Sequence, residues 1–184
     1  VEPLLGSAST HLLSGLGGFQ GRALRRGDVL SIGTAGAPFR KRRAEAQALR
    51  ALSPRKILRV TAGPQANWFP ASAQRAFYEN TYRVAENSNR MGLRLEGIPV
   101  APHPARELLT EGVSLGAIQV PPSGQPIILF VEQQTTGGYP KIANVIAADL
   151  HSIGQLRPRD EIRFEQVEFH TAQALLREQE RLLS

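Results

Sequence analysis

The stretch "LGAIQVPPSGQPIILFVEQQTTGGYP", residues 115–140, decides how the rest of the chain is read. Two short apolar runs, "LGAIQV" and "PIILFV", are separated by prolines, a serine and a glycine, the composition of a break between strands. "PIILFV" is apolar at every position, so both of its faces are expected inside a sheet. The continuation, "VEQQTTGGYP", does not have linker composition. Hydrogen-bonding side chains and two glycines stand beside one aromatic ring, at the end of a strand expected to be buried.

More strands are legible on either side. "KILRVTAGP" places Leu58, Val60 and Ala62 on one face, and "TYRVA" does the same with Tyr82 and Val84. "NRMGLRLEG" sets Met91, Leu93 and Leu95 against Gly92, Arg94 and Glu96, the two-residue period of a half-buried strand. "RPRDEIRFEQVEF" reads as a turn and a strand, "PASAQRAFYEN" as a short helix, and "IANVIAADL" fits either strand or helix. "TAQALLREQERLL" carries Ala172, Leu175, Leu176, Leu182 and Leu183 along one helical stripe, with Thr171 as a cap. Ala44, Ala48, Leu49 and Leu52 also share a helical face, stopped by Pro54; an alanine-rich stripe buries little and suits a surface connector. Short strands with few helices predict a mainly β fold, a barrel or sandwich.

Composition excludes several classes. The chain has 184 residues, no cysteine, 41% hydrophobic and 21% charged residues, and a net charge of +6 from 22 basic and 16 acidic side chains. Disulfides and thiolate chemistry are therefore absent, and disorder is not expected. No apolar run approaches the ~20 residues of a membrane span, and the first residues lack a signal-peptide pattern. A cytoplasmic location is expected, with neither a membrane nor a nucleic acid as partner. The basic residues are partly collected in Arg40–Arg43 and otherwise dispersed, as on solvated faces. The four histidines are scattered, so no metal site is expected. "GLGGFQG" fails the dinucleotide pattern at Gln20 and reads as a tight turn.

An internal repeat gives the domain organisation. "LRRGDVLSI", residues 24–32, and "LRPRDEIRF", residues 156–164, share Leu-Arg-x-x-Asp-x-apolar-x-apolar. In both, an aspartate able to bond its own backbone leads into an alternating strand. The second copy closes a module of roughly 100 residues, a usual domain size. If the first closes an equivalent module, Val1 is not the start of the native polypeptide, and the N-terminal part of that module is missing. The expected division is 1–38 as the C-terminal part of a first module, 39–55 as a helical linker, 56–170 as a second module and 171–184 as a C-terminal helix.

Three polar segments interrupt the strands and are expected at the rim of one barrel: "ENSNRMG", "IQVPPSGQP" and "VEQQTTGGYP". Neutral donors and acceptors at Asn89, Gln119, Gln134, Thr135 and Thr136 suit amides, ureas and carboxylates. Arg90 suits a carboxylate or phosphate held in a fork. Tyr139 offers a ring or a phenol, and Gly137 and Gly138 allow close backbone approach. Lys141 suits negative charge developing on a carbonyl oxygen. The same residues have structural readings: a wide turn packed by Tyr139, a pairing of Arg90 with Glu86 or Glu96, and a satisfied core amide at Gln119.

The segments "SNRMGLRLEG", "EGVSLGAIQVPPSGQPIILF" and "QTTGGYPKIANVIAADL" resemble the second subunit of the allophanate hydrolase/5-oxoprolinase family, itself similar to the carboxyltransferase domain of urea carboxylase. "GSASTHLLSGLGGFQGRALRRGDVL" and "LRPRDEIRF" fit it too, so the resemblance spans most of the chain outside 35–55 and the C-terminal tail. It implies cyclophilin-like β-barrel modules with a few short helices: one complete, plus the C-terminal part of another. It implies a first subunit as partner, separate or fused upstream, and ATP-dependent opening of 5-oxoproline or another small amide. Regulation of a sensor-kinase inhibitor and carboxyl transfer from carboxybiotin to urea-like substrates are the alternatives it carries. ATP is implied as cofactor, on this chain or shared with a partner. Biotin is not expected on this chain, because Met91 is followed by Gly92 and not by lysine. The family commonly has an acidic and then a basic residue before "QTTGGYP"; here they are Glu132 and Gln133. The expected roles are substrate orientation by Asn89, Gln119, Gln134, Thr135, Thr136, Gly137 and Gly138, anion binding by Arg90, and catalysis by Tyr139 and Lys141 with Glu132 as base.

Overall fold

The computed structural model describes residues 1–33, 36, 43, 45–103 and 108–183. Residues 40–42 of the basic run, Ala44 and most of 34–44 lie outside them. The chain divides into two compact units, Val1–Arg43 and Ala44–Ser184.

In the first unit, β1 (Thr10–His11) and β2 (Leu16–Gly17) pair antiparallel, so the glycine run returns the chain on itself. Asp28 then organises a turn. Its carboxylate accepts from the Arg25 backbone N–H at 2.6 Å and from both Nη groups of Arg22 at 2.8 Å. The Arg22 fork, followed by the Arg25 N–H, holds the Asp28 pKa down at about 2. The strand expected over 29–33 is not formed: Val29 and Ile32 are 84% and 92% exposed, without a partner strand among the described residues. An isolated extended segment leaves its backbone groups to water, so alternation alone does not make it a strand.

The second unit contains α1 (Ala46–Ala51), β3 (Ile57–Ala62), a 3-10 turn at Ala66–Trp68, α2 (Ala71–Glu79), β4 (Tyr82–Val84), β5 (Gly92–Glu96), β6 (Glu111–Gly112), β7 (Ala117–Gln119), β8 (Ile127–Leu129), β9 (Thr136–Gly137), β10 (Lys141–Val145), a 3-10 turn at Ala147–Asp149, α3 (Leu150–Ile153), β11 (Glu161–Gln166) and α4 (Phe169–Leu183). Seven strands close a barrel in the order β10-β3-β11-β4-β5-β8-β7. All contacts in it are antiparallel except β11 with β3. Closure leaves no free sheet edge, which lets strands of three residues persist. The architecture is mainly β with few short helices.

Leu58, Val60, Leu93, Leu95, Ile118, Ile128, Ile142 and Ile162 fill the interior. Phe77 of α2 stacks on Phe164 of β11 with ring centroids 4.4 Å apart, and Tyr82 leans on both. Each such ring adds roughly 1.5–3 kcal/mol by burial. The Tyr82 hydroxyl donates to Ile98 O at 3.1 Å, and burial pushes its pKa up to about 12.

Some local expectations need correction. Met91 is 46% exposed because β5 begins at Gly92, and Ala62, at the end of β3, is exposed. Thr171 does not cap α4, which begins at Phe169; the Thr171 hydroxyl instead lies 3.3 Å from His170 Nε2. "IANVIAADL" resolves in sequence: strand to Val145, then a 3-10 turn and α3. α1 buries no residue, as a surface helix should.

The two copies of the repeat form the same turn. Asp160 accepts from Arg157 N at 2.8 Å and returns its own N–H to Arg157 O at 3.0 Å, as Asp28 does with Arg25. The residue before each aspartate is left-handed: Gly27 at φ +95° and Arg159 at φ +72°. The second copy alone continues as a strand, because β3 and β4 flank it. Lys56 Nζ, 2.7 Å from Asp160, and then the Arg157 N–H hold this carboxyl below the usual range. Asp160→Ala removes both contacts and is expected to cost about 1–2 kcal/mol. A depressed carboxyl stabilises above its unfolded pKa, about 4, and that stability is lost as pH falls through the folded value. Urea midpoints measured between neutral pH and pH ~3 should therefore fall less steeply in Asp160→Ala than in the parent.

Candidate functional site

Lys141 opens β10, and it is only 3% exposed. A lysine at the start of an apolar run is buried at high cost unless a carboxylate meets it. Glu111 does so: its Oε1 accepts from Lys141 Nζ and, at 2.8 Å, from Gln65 Nε2. These donors, Lys141 first, hold the Glu111 carboxyl below its usual range, so it is ionised at neutral pH. Gln65 also accepts the Lys141 backbone N–H at 3.1 Å through Oε1, so one side chain braces both ends of the pair. The Glu111 side chain is 39% exposed, and through it the buried ammonium reaches the surface.

Gln119 lies directly opposite Lys141 in the β7–β10 ladder, and its side chain is buried. The register shifts between Lys141 and Ala143, a bulge of the kind that re-aims side chains beside functional sites. Gln119 Oε1 accepts from Gln134 Nε2 at 3.2 Å, and its Nε2 makes a long 3.4 Å contact to Tyr139 O. Gly137 of β9 leaves room for this amide: a Cβ there would stand 2.5 Å from Gln119 Nε2. β9 is held in place by β6, with Glu111 opposite Gly137 and Gly112 opposite Thr136. The β6–β9 ribbon thus delivers Glu111 and Gly137 to the barrel end where β10 delivers Lys141. Tyr139 is 45% exposed beside them.

The single rim expected for all three polar segments is corrected. β8 runs antiparallel to both β5 and β7, with Gly92 opposite Leu129 and Gln119 opposite Ile127. Asn89, Arg90 and Glu132 extend beyond the Gly92–Leu129 end, away from Gln119. There Arg90 Nε donates to Glu132 Oε1 at 2.6 Å, whereas Glu86 and Glu96 pair with Arg159 and Arg83. Asn89 spends its Oδ1 on Met91 N and Gly92 N, shaping the turn. Thr135 and Thr136 are exposed, and Thr135 O accepts from Val113 N at 3.1 Å. Gly138 is exposed near Leu108 O. At Gln133, Nε2 donates to Val113 O at 3.4 Å and the buried Oε1 has no partner among the described residues. Gln65 and Glu111 escaped the sequence reading. The signal for Glu111 was the need of a buried Lys141 for a counter-ion; Gln65 left no such trace.

Among the described residues, the arrangement offers one buried cation, a carboxylate paired with it, and a pair of carboxamides at the barrel end. Such a set can receive a carbonyl oxygen and an amide N–H on neighbouring groups.

The family model for the carboxyltransferase domain, subdomain A and B, matches residues 1–166. The chain is 39% identical over 181 residues to a 5-oxoprolinase subunit of Escherichia coli K12, covering 98% of this chain and 57% of that protein. It thus spans little more than half the length of that relative. Among solved structures, the urea amidolyase of K. lactis superposes with a TM-score of 0.77 at 30% identity, over 98% of this chain and 12% of that one. The urea carboxylase of Kluyveromyces lactis gives 0.76 at 31%, over 96% of this chain and 17% of that one.

Proposed function

Since the chain belongs to the carboxyltransferase-domain family, subdomain A and B, we propose that it is the carbonyl-binding part of a multi-component amidolyase that opens 5-oxoproline or a comparable small amide. The observation that carries this reading is the buried Lys141, paired with Glu111, beside the Gln119–Gln134 carboxamides. The substrate carbonyl oxygen is received near Lys141 Nζ, whose charge favours the oxyanion formed when a nucleophile attacks. Gln119 and Gln134 orient the planar amide, and Gly137 keeps their side of the pocket open. Glu111 acts as a positioning residue, since it holds the ammonium in place. Arg90, Asn89 and Glu132 lie outside this proposed site.

ATP would supply activation of the amide oxygen by phosphorylation. Among the described residues, the surroundings of Lys141 do not fit a triphosphate, because the one cation there is already matched by Glu111. We therefore assign the nucleotide of that step to a partner, separate or fused. Carboxyl transfer is the second reading, favoured by the family's carboxyltransferase description. The same site would then hold a urea-like acceptor, with carboxybiotin brought by another protein.

The complete complex decides between them: glutamate released from 5-oxoproline with ATP supports ring opening, and carboxylation of urea with carboxybiotin supports transfer. Neither product would overturn the carbonyl-site reading. Glu111→Gln is expected to lower kcat at least about tenfold with KM changing less. A kcat within about twofold of the parent would assign Glu111 no such role.

A further inference from the structure

Gln65 stands where β3 leaves the barrel. The β3–β10 ladder ends at Ala62 opposite Ala143, and the Gly63 N–H still donates to Ile142 O at 2.9 Å. The chain then presses on the backbone of Lys141. A Cβ on Gly63 would stand 2.8 Å from Ala143 N and closer still to Lys141 O, so a side chain there would push the two segments apart. Two residues on, Gln65 takes both backbone groups of Lys141. Its own N–H donates to Lys141 O at 3.3 Å, and its side-chain Oε1 accepts the Lys141 N–H at 3.1 Å. A side chain thus replaces the strand partner that β3 no longer supplies.

The other end of the same amide, Nε2, donates to Glu111 Oε1 at 2.8 Å, and the residue is buried. These partners fix which way the amide faces. Turned over, its oxygen would meet the Glu111 carboxylate and its NH₂ the Lys141 N–H, and both contacts would repel. The stem of a lysine is flexible, so its charge keeps one place only if the backbone that carries it and the carboxylate that meets it are both held. Gln65 holds both. Among the described residues Glu111 is the only partner of Lys141 Nζ, and an ammonium has more donors than one carboxylate oxygen takes. The direction of the remaining donors therefore depends on Gln65 as well as on Glu111.

We propose that Gln65 is a positioning residue of the Lys141 site: its amide couples the Lys141 backbone to Glu111 and so aims the ammonium at the bound carbonyl oxygen. This rests on the carbonyl-site reading and adds to it a residue that touches no substrate. The test is made in whichever of the two assays above the complete complex is active. Gln65→Glu keeps the acceptor for the Lys141 N–H but sets a second carboxylate against Glu111. It should lower kcat at least about tenfold with KM within about threefold. The exchanged pair, Gln65→Glu with Glu111→Gln, again puts one amide against one carboxylate and should recover at least about fivefold in kcat over Gln65→Glu. Gln65→Met removes both side-chain bonds. In carboxyl NMR of that variant Glu111 should titrate nearer the ordinary carboxylate range, since after Lys141 the Gln65 amide is the donor that holds it down. If the like charges keep Gln65→Glu from folding, the kcat of the exchanged pair against Gln65→Met gives the same decision. A kcat within about twofold of the parent in Gln65→Glu, with turnover abolished by Lys141→Met, overturns this inference and leaves the carbonyl site standing. Turnover that survives Lys141→Met overturns both. A loss that the exchanged pair does not recover, or an unmoved Glu111 titration in Gln65→Met, reduces Gln65 to a packing residue and overturns the inference too.

Discussion

Lys141→Met should abolish turnover of the complete complex, by at least about 100-fold in kcat, while costing the barrel little stability. The first half follows from the proposed role. A loss of about 2.7 kcal/mol of transition-state stabilisation is what a single well-placed donor commonly provides. The second half follows from where the charge sits. Lys141 is buried at the start of β10, and methionine keeps its length and much of its volume. Removing one member of an ion pair is costly chiefly where the other charge is left buried. Glu111 is not stranded by the change, because Gln65 still donates to it and its side chain is 39% exposed. Steady-state kinetics and urea denaturation of the same preparation check both halves. Turnover within a few-fold of the parent, from a folded protein, would remove Lys141 from the mechanism.

Asp149→Ala is expected to have the opposite profile, a large loss of stability from a residue remote from the proposed carbonyl site. Asp149 is fully buried. Its carboxylate accepts the Arg59 backbone N–H at 2.8 Å as well as the Arg59 guanidinium, tying β3 to the 3-10 turn that precedes α3. Alanine leaves that guanidinium, 15% exposed, without its hydrogen-bonded carboxylate, and the Arg59 backbone N–H without that acceptor. Breaking one side of such a pair costs about 3–5 kcal/mol, a third or more of the stability of an ordinary domain. Asp149→Asn keeps the shape and one acceptor, so its cost should be intermediate. Chemical denaturation resolves the three proteins, and a cost for alanine below about 1 kcal/mol would show that the tie is not what holds α3 against β3.

The strands were legible wherever a two-residue period had a core to face. Leu93 and Leu95, and Tyr82 and Val84, carry that mark and form barrel strands, while Ile127–Leu129 was legible as a run apolar at every position and forms another. Leu30 and Ile32 carry the same mark and form none, since a period states which face is apolar and not whether another strand lies alongside. Of the proposed site, Gln119, Gln134, Gly137, Tyr139 and Lys141 were visible as an unusual run of polar groups around apolar strands. Arg90 and Glu132 were visible for the same reason, and they belong elsewhere.

Composition, alternation and the repeated aspartate turn are local properties, and the sequence alone determines them: a mainly β chain without cysteine chemistry, and two turns with the same hydrogen bonds. Which polar groups meet is a matter of register. The antiparallel course of β8 sends Arg90 to Glu132 at one end and Gln119 to the other, and the β6–β9 pairing brings Glu111 within reach of Lys141, 30 residues away in the chain. A side chain's chemistry is written in its own letter, but its counter-ion is selected by strand pairings set by the whole core, and no single segment encodes those.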